Sequence, residues 1–171
     1  AAKKVTLALM ALIRTQYPRD TMYIIGFSDY AREIKEEELA KTSWNSWVSG
    51  TNLHHALMLS RKLLAKEKGG TRQILCITDG EPTAHLEGDR AFFSYPPSYR
   101  TEQETLKEVK RCTQEDIVIN TFMLENNYQL VNFVDRMTRI NQGRAFYTSA
   151  GNIGEFMLVD YVNNRRKRVA A

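Results

Sequence analysis

Two short polar runs carry the residue types from which a site could be built. Gly50-Thr51-Asn52 sets a hydroxyl at the start of an apolar-periodic stretch, and Asp79-Gly80 sets a carboxylate at the end of a hydrophobic run. A carboxylate there must be paired, solvated or bound to a metal. A hydroxyl and a carboxylate on one edge of a domain are hard oxygen ligands, the kind Mg²⁺ prefers. Each also has a plainer use, since Thr caps helices and Asp-Gly is a common turn. His54 and His55 are adjacent, and neighbours on a helix point about 100° apart, so they chelate one metal poorly. With His85 they form no HExxH-like spacing, and polar histidines flanking a site are the simpler reading. No Gly-x-Ser-x-Gly elbow, Gly-rich phosphate loop or paired acid/base carboxylates occur. Catalysis therefore has no motif behind it. The enzymatic alternative is a Rossmann-like protein using Asp79 with His54 or His85 as acid and base.

The elements that must hold these runs follow from hydrophobic spacing. Val5, Leu9, Leu12 and Ile13 recur at helical intervals between Lys3 and Gln16, and Pro18 marks the exit. The pattern predicts a buried strand over 21–27, a short second strand over 31–34 and a helix from Gly50 to about Lys66. Glu36-Glu37-Glu38 reads as a solvated face. A buried strand over 72–78 follows, then a helix from Thr101, boxed by Glu104, to about Thr113. A strand over 117–124, a helix over 129–139, a strand over 143–147 and a helix over 152–164 complete the chain.

Apolar strands alternating with helices predict an α/β fold with a mostly parallel sheet and helices on both faces. Ligands of such sheets lie beyond the carboxyl ends of the strands. That rule selects Ser28-Asp29, Gly50-Thr51, Asp79-Gly80-Glu81 and Glu125-Asn126-Asn127. Between Glu81 and Arg100 the chain reads as a long irregular stretch holding Phe92, Phe93, Tyr95 and Tyr99 around Pro96-Pro97. Long loops without regular structure are often binding loops, and aromatic side chains supply rigid contact area. Tyr95 and Tyr99 are expected at a partner surface; Phe92 and Phe93 would serve there or cover a neighbouring helix. Trp44 and Trp47 are candidates for a second aromatic rim, with core packing as the alternative.

Three runs taken in order carry a resemblance: Ile25-Gly26-Phe27-Ser28-Asp29-Tyr30-Ala31, Gly50-Thr51-Asn52-Leu53, and Ile77-Thr78-Asp79-Gly80-Glu81-Pro82-Thr83. Together they resemble a von Willebrand factor A (vWA) domain, of the bacterial intracellular kind related to the metal-binding subunit of magnesium chelatase. The similarity covers nearly the whole chain. It implies a Rossmann-like sheet with a metal-ion-dependent adhesion site at its carboxyl edge. There, three loops hold a divalent ion, usually Mg²⁺, and a partner's carboxylate completes the coordination. Thr51 matches the second-loop threonine and Asp79 the third-loop aspartate, with Ser28, Asp29, Asn52, His54 and Glu81 flanking them. The first-loop motif, Asp-x-Ser-x-Ser on the leading central strand, has no counterpart between Ala1 and Ala171. The expectation is a sheet lacking its first central strand, with the ion held weakly or not at all. The implied function is a non-enzymatic interaction module whose partner presents a carboxylate, an AAA+ ATPase being the kind the resemblance suggests. A metal-free scaffold binding through its aromatic loop is a further alternative.

Composition bounds these readings. With 171 residues, 43% hydrophobic and 26% charged, the chain suits one globular domain and excludes collagen-like and disordered classes. The expected organisation is a vWA-like domain over 1–164 and a basic tail over 165–171. The net charge of +4 equals the charge of Arg165-Arg166-Lys167-Arg168, and the remainder carries 20 charges of each sign. No basic face interleaved with aromatics is visible, so no nucleic-acid partner is expected. No run approaches the roughly 20 apolar residues of a membrane helix. The N-terminal segment has helical periodicity and no small-residue cleavage site, and reads as a helix instead of a signal peptide. Cys76 and Cys112 fit no disulfide framework or metal spacing, which points to the cytoplasm.

Overall fold

The computed structural model describes residues 2–41, 50–149 and 151–169; Trp44 and Trp47 lie outside them. Leu9 and Ile13, one turn apart, give α1 (Ala2–Gln16) a buried stripe. The chain continues through β1 (Ile25–Phe27), β2 (Ala31–Glu33), the short α2 (Glu36–Leu39) and α3 (Leu53–Leu64). Next come β3 (Arg72–Thr78), β4 (Ala84–Glu87), β5 (Arg90–Phe93) and α4 (Tyr99–Gln114). The last elements are β6 (Ile117–Met123), α5 (Tyr128–Asn141), β7 (Ala145–Tyr147) and α6 (Ile153–Val169).

β6 is the middle of a parallel sheet ordered β3-β6-β7, with Arg72 opposite Ile117 and Thr121 opposite Ala145. Alternation along the strands divides the core in two. Ile117, Ile119, Met123 and Cys76 pack with the apolar stripes of α3, α4 and α5. Phe122, Leu75 and Ile77 pack on the other side, with Leu9 and Ile13 of α1 and Ile153, Met157 and Tyr161 of α6. The structure thus has the α/β sheet with helices on both faces that the spacing predicts.

β1 and β2 form a separate antiparallel hairpin, with Phe27 opposite Ala31. Between β1 and β3 lies a cavity of about 910 Å³. Its walls are the chain from Arg19 to Ser28 and from Thr71 to Asp79. Leu9, Ile13, Met157 and Tyr161 close one side; Leu53, Ala56 and Leu57 of α3 close the other. Neighbouring strands sit about 4.8 Å apart, and one extended segment here would join the hairpin to the sheet.

Several elements differ from the sequence expectation. The strand expected over 21–27 shrinks to Ile25–Phe27, because only the β2 side offers a ladder partner. In β3, only Cys76 and Thr78 are buried, since its outer edge faces the cavity. The stretch from Glu81 to Arg100 is not irregular: β4 and β5 pair within it, Ala84 opposite Phe93 and Glu87 opposite Arg90. The turn between them is Gly88-Asp89, and Gly88 has a φ of 63°, which suits the first position of a two-residue hairpin loop. α4 starts two residues earlier than expected, capped by Ser98, whose hydroxyl accepts from Thr101 N–H at 3.1 Å. α6 continues to Val169, so the backbone of the basic run is helical.

Candidate functional site

Asn52 ties the loops of the sheet's carboxyl edge together. It is fully buried, and its N–H donates to Ser28 O at 2.7 Å while its side-chain Nδ2 donates to Asp29 O at 2.8 Å. Its Oδ1 accepts from His55 N–H at 2.9 Å and caps α3. The cap is therefore Asn52 and not Thr51. A second set of bonds joins Thr51 to the segment after Asp79: Thr51 N–H donates to Thr83 Oγ1 at 2.9 Å. Thr83 and Ala84 N–H both donate to Thr51 O, at 3.1 and 3.3 Å. The intervening turn is drawn in by Thr78, whose hydroxyl donates to Gly80 O at 2.9 Å.

These bonds bring Ser28, Thr51, Thr78 and Asp79 to the rim of the cavity between β1 and β3. Among the described residues, every hydrogen bond of Thr51 uses its backbone, which leaves its hydroxyl uncommitted. Asp79 is exposed, and Glu81 is half-buried in the turn beyond it. Thr51 and Asp79 fit a hard cation in kind and fall short in number. Among the described residues, no three His, Cys, Asp or Glu side chains stand close enough to hold a metal. Asp29 has a buried, unpartnered Oδ1, but that atom turns toward Gly50, and Asp29 does not line the cavity. Glu125 and Asn126 are exposed at the end of β6, while Asn127 is consumed as the cap of α5, accepting from Leu130 N–H at 2.8 Å.

The histidines diverge as their adjacency demands. His55 Nδ1 accepts from Ala31 N–H of β2 at 2.9 Å, and His54 Nδ1 accepts from Leu86 N–H of β4 at 3.0 Å. Burial pushes the pKa of both below the ordinary histidine value. His85 is fully buried between Thr101 Oγ1 at 2.8 Å and Glu87 Oε1 at 3.2 Å, with Phe92 covering it at a ring separation of 5.3 Å. Burial also pushes the thiols of Cys76 and Cys112 up to about 12, so both are inert near neutral pH.

The four aromatic residues separate by exposure. Tyr95 and Tyr99 are 77% and 75% exposed and bracket Pro96-Pro97, while Phe92 and Phe93 are 43% and 45% exposed on β5. Phe92 covers His85 on the paired strand β4, not a helix, while presenting an edge to solvent. Sequence reasoning missed the hub role of Asn52 and the β4–β5 hairpin. The local signals existed: Asn immediately before an apolar-periodic run, and Gly88-Asp89 between two short β-rich runs.

Residues 1–162 match the family model described as the vWA domain of Rv0959-like proteins. The chain is 35% identical over 170 residues to protein Rv0959 of Mycobacterium tuberculosis (strain ATCC 25618 / H37Rv), covering 96% of this chain. The same figures hold for protein Mb0984 of Mycobacterium bovis. This chain spans 25% of the length of these relatives. A crystal structure of the conserved hypothetical protein BatB from Bacteroides thetaiotaomicron shares the fold. It superposes with a TM-score of 0.65 at 14% identity, over 97% of this chain and 87% of that one.

Proposed function

Because the chain belongs to the family of Rv0959-like vWA domains, we propose that it is a non-enzymatic protein-interaction module whose binding edge is the mouth of the β1–β3 cavity. Thr51 and Asp79 hold a divalent cation there, Mg²⁺ by the hardness of the donors, and a partner's carboxylate takes an open position. The observation that carries this reading is the Thr51–Thr83 stitch, which sets an uncommitted hydroxyl and the Asp79 turn on one rim. The ion, when bound, supplies a positive centre that accepts a carboxylate oxygen in place of water. Asp79 contributes negative charge, Thr51 a neutral hydroxyl, and Asn52 keeps the loop in register.

Two donors hold Mg²⁺ weakly, because the ion demands near-octahedral oxygen coordination and dehydrates reluctantly. A strand seated in the cavity would end on the same rim, and an Asp-x-Ser-x-Ser loop there would supply the remaining carboxylate and hydroxyls. An AAA+ ATPase is the partner we propose, in the cytoplasm, where the free thiols Cys76 and Cys112 suit reducing conditions. Among the described residues, no helix is long and apolar enough to cross a membrane. An acid/base role for His54 or His85 has less behind it, since their bonds go to a backbone amide, a threonine hydroxyl and an exposed glutamate.

Calorimetric titration of Mg²⁺ into the full-length polypeptide and its Asp79→Ala variant tests the reading. Binding about tenfold weaker or more is expected in the variant, as for losses around metal ligands. Identical titrations would rule out this edge as the ion's site.

A further inference from the structure

Two adjacent side chains in the first turn of α3 each hold one hairpin: β1–β2, whose first strand lines the cavity, and β4–β5 beyond it. His55 Nδ1 takes the Ala31 amide of β2, and His54 Nδ1 takes the Leu86 amide of β4. Neighbours on a helix diverge by about 100°, so one ring reaches each hairpin. An imidazole nitrogen accepts a hydrogen bond only while unprotonated, because both nitrogens of the cation are donors. Each contact therefore belongs to the neutral ring alone. We infer that His54 and His55 form an acid-sensitive clasp, whose protonation removes one tie of the β1–β2 hairpin and one tie of the β4–β5 hairpin to α3. This loosens the β1 side of the cavity and the aromatic surface on β5, while the bonds of Thr51 and Asn52 remain. Neither histidine bond uses the Thr51 hydroxyl or the Asp79 carboxylate, so the clasp does not draw on the donors proposed for the ion.

The surroundings of the two rings agree with this assignment. His54 faces Glu104, Glu108 and Arg111 on α4 and His85 on β4, with 6.2 Å between the two histidine rings. Burial is the largest influence on His54 and outweighs the pull of the two glutamates, of which Glu108 is already paired with Arg61 and Arg111. His55 faces Tyr30 of the β1–β2 turn, edge-on at 6.1 Å, and burial alone lowers its pKa. A histidine held below its ordinary 6.5 takes up a proton when its contact opens. The closed form is thus fully favoured above that value and loses ground as pH falls toward the folded value. His85 is different: its partners are a hydroxyl and a carboxylate, which can serve the ring in either protonation state.

Hydrogen-exchange mass spectrometry of the full-length polypeptide at about pH 7.5 and 5.5, corrected for intrinsic exchange, reads the clasp directly. One unit below an ordinary histidine value, each freed ring favours the open form by up to about tenfold. Peptides spanning 28–34 and 84–93 should lose protection by up to that factor, while the β6 peptide spanning 117–123 keeps its own. Unchanged protection in both hairpins overturns the inference. So does a uniform loss that includes β6, which is ordinary acid unfolding. His54→Gln keeps a carbonyl acceptor that does not titrate, so only the 84–93 peptide should become indifferent to pH. A persisting response there also overturns it, and the wild-type comparison decides the matter even if the variant fails to fold.

Discussion

The carboxylate of Asp29 stands where a β-carbon on Gly50 would have to go, and the Asp29 α-carbon lies only 3.2 Å from that position. Gly50 is thus a glycine for want of room beside the β1–β2 turn. Gly50→Ala should cost about 1–3 kcal/mol, the usual range for overpacking a filled site. Asp29→Ala removes the offending oxygens but keeps the carbonyl that accepts from Asn52, so the double variant should regain part of the loss. Denaturant unfolding of the four proteins in this cycle gives the coupling. An equal cost of Gly50→Ala in both backgrounds means the two residues do not meet.

Asn52 and Thr51 are neighbours with opposite predicted behaviour. Asn52→Ala removes a helix cap and leaves Asp29 O without its donor, for a combined loss of roughly 2–4 kcal/mol. Thr51→Ala should move stability by no more than about 0.5 kcal/mol, because the bonds of Thr51 are made by its backbone. It should still weaken Mg²⁺ binding. Thermal unfolding of the two variants separates these roles, and a large stability loss in Thr51→Ala would show that its hydroxyl is structural.

The cavity between β1 and β3 predicts how the chain unfolds. Buried backbone groups left without partners cost about 1–3 kcal/mol each, and both strand edges face this gap. The 171-residue chain should be poorly cooperative or should self-associate. Sedimentation and urea titration measure both. A well-folded, cooperative monomer of these residues alone would falsify the prediction.

The tyrosines at the proline pair offer a test of the aromatic surface. With Tyr95 and Tyr99 each about three-quarters exposed, replacing both with Ala should change stability by less than about 0.5 kcal/mol. Binding of the partner, measured by surface plasmon resonance once one is identified, should drop. Unaltered affinity removes these residues from the binding surface.

Much of the architecture is written in local pattern. The four-residue spacing of Leu9 and Ile13, and the apolar run Ile74–Ile77 within Arg72–Thr78, specify element type through nearby residues. The order of the three polar runs likewise carries the resemblance to the vWA fold, two of them following β1 and β3 and one opening α3. Local pattern also misled where a neighbour was absent: residues 21–24 are apolar enough for a strand, yet find no ladder on the cavity side. The capping box proposed at Thr101 failed because Ser98 competes for the same amide, freeing the Thr101 hydroxyl for His85.

What the tertiary structure decided concerns pairs far apart in the chain. Thr51 meets Thr83 and His54 meets Leu86, each across 32 residues, and Arg61 meets Glu108 across 47. Composition shows that a hydroxyl, a carboxylate and three histidines exist; it does not show that His54 and His55 are spent on backbone amides while, among the described residues, the Thr51 hydroxyl has no partner. That allocation depends on which donors reach which acceptors once both core layers have closed, a question of distance that spacing along the chain does not encode. The gap beside β3 is of the same kind. A strand edge is bare or paired according to what lies next to it in space, and β3 reads the same in sequence either way.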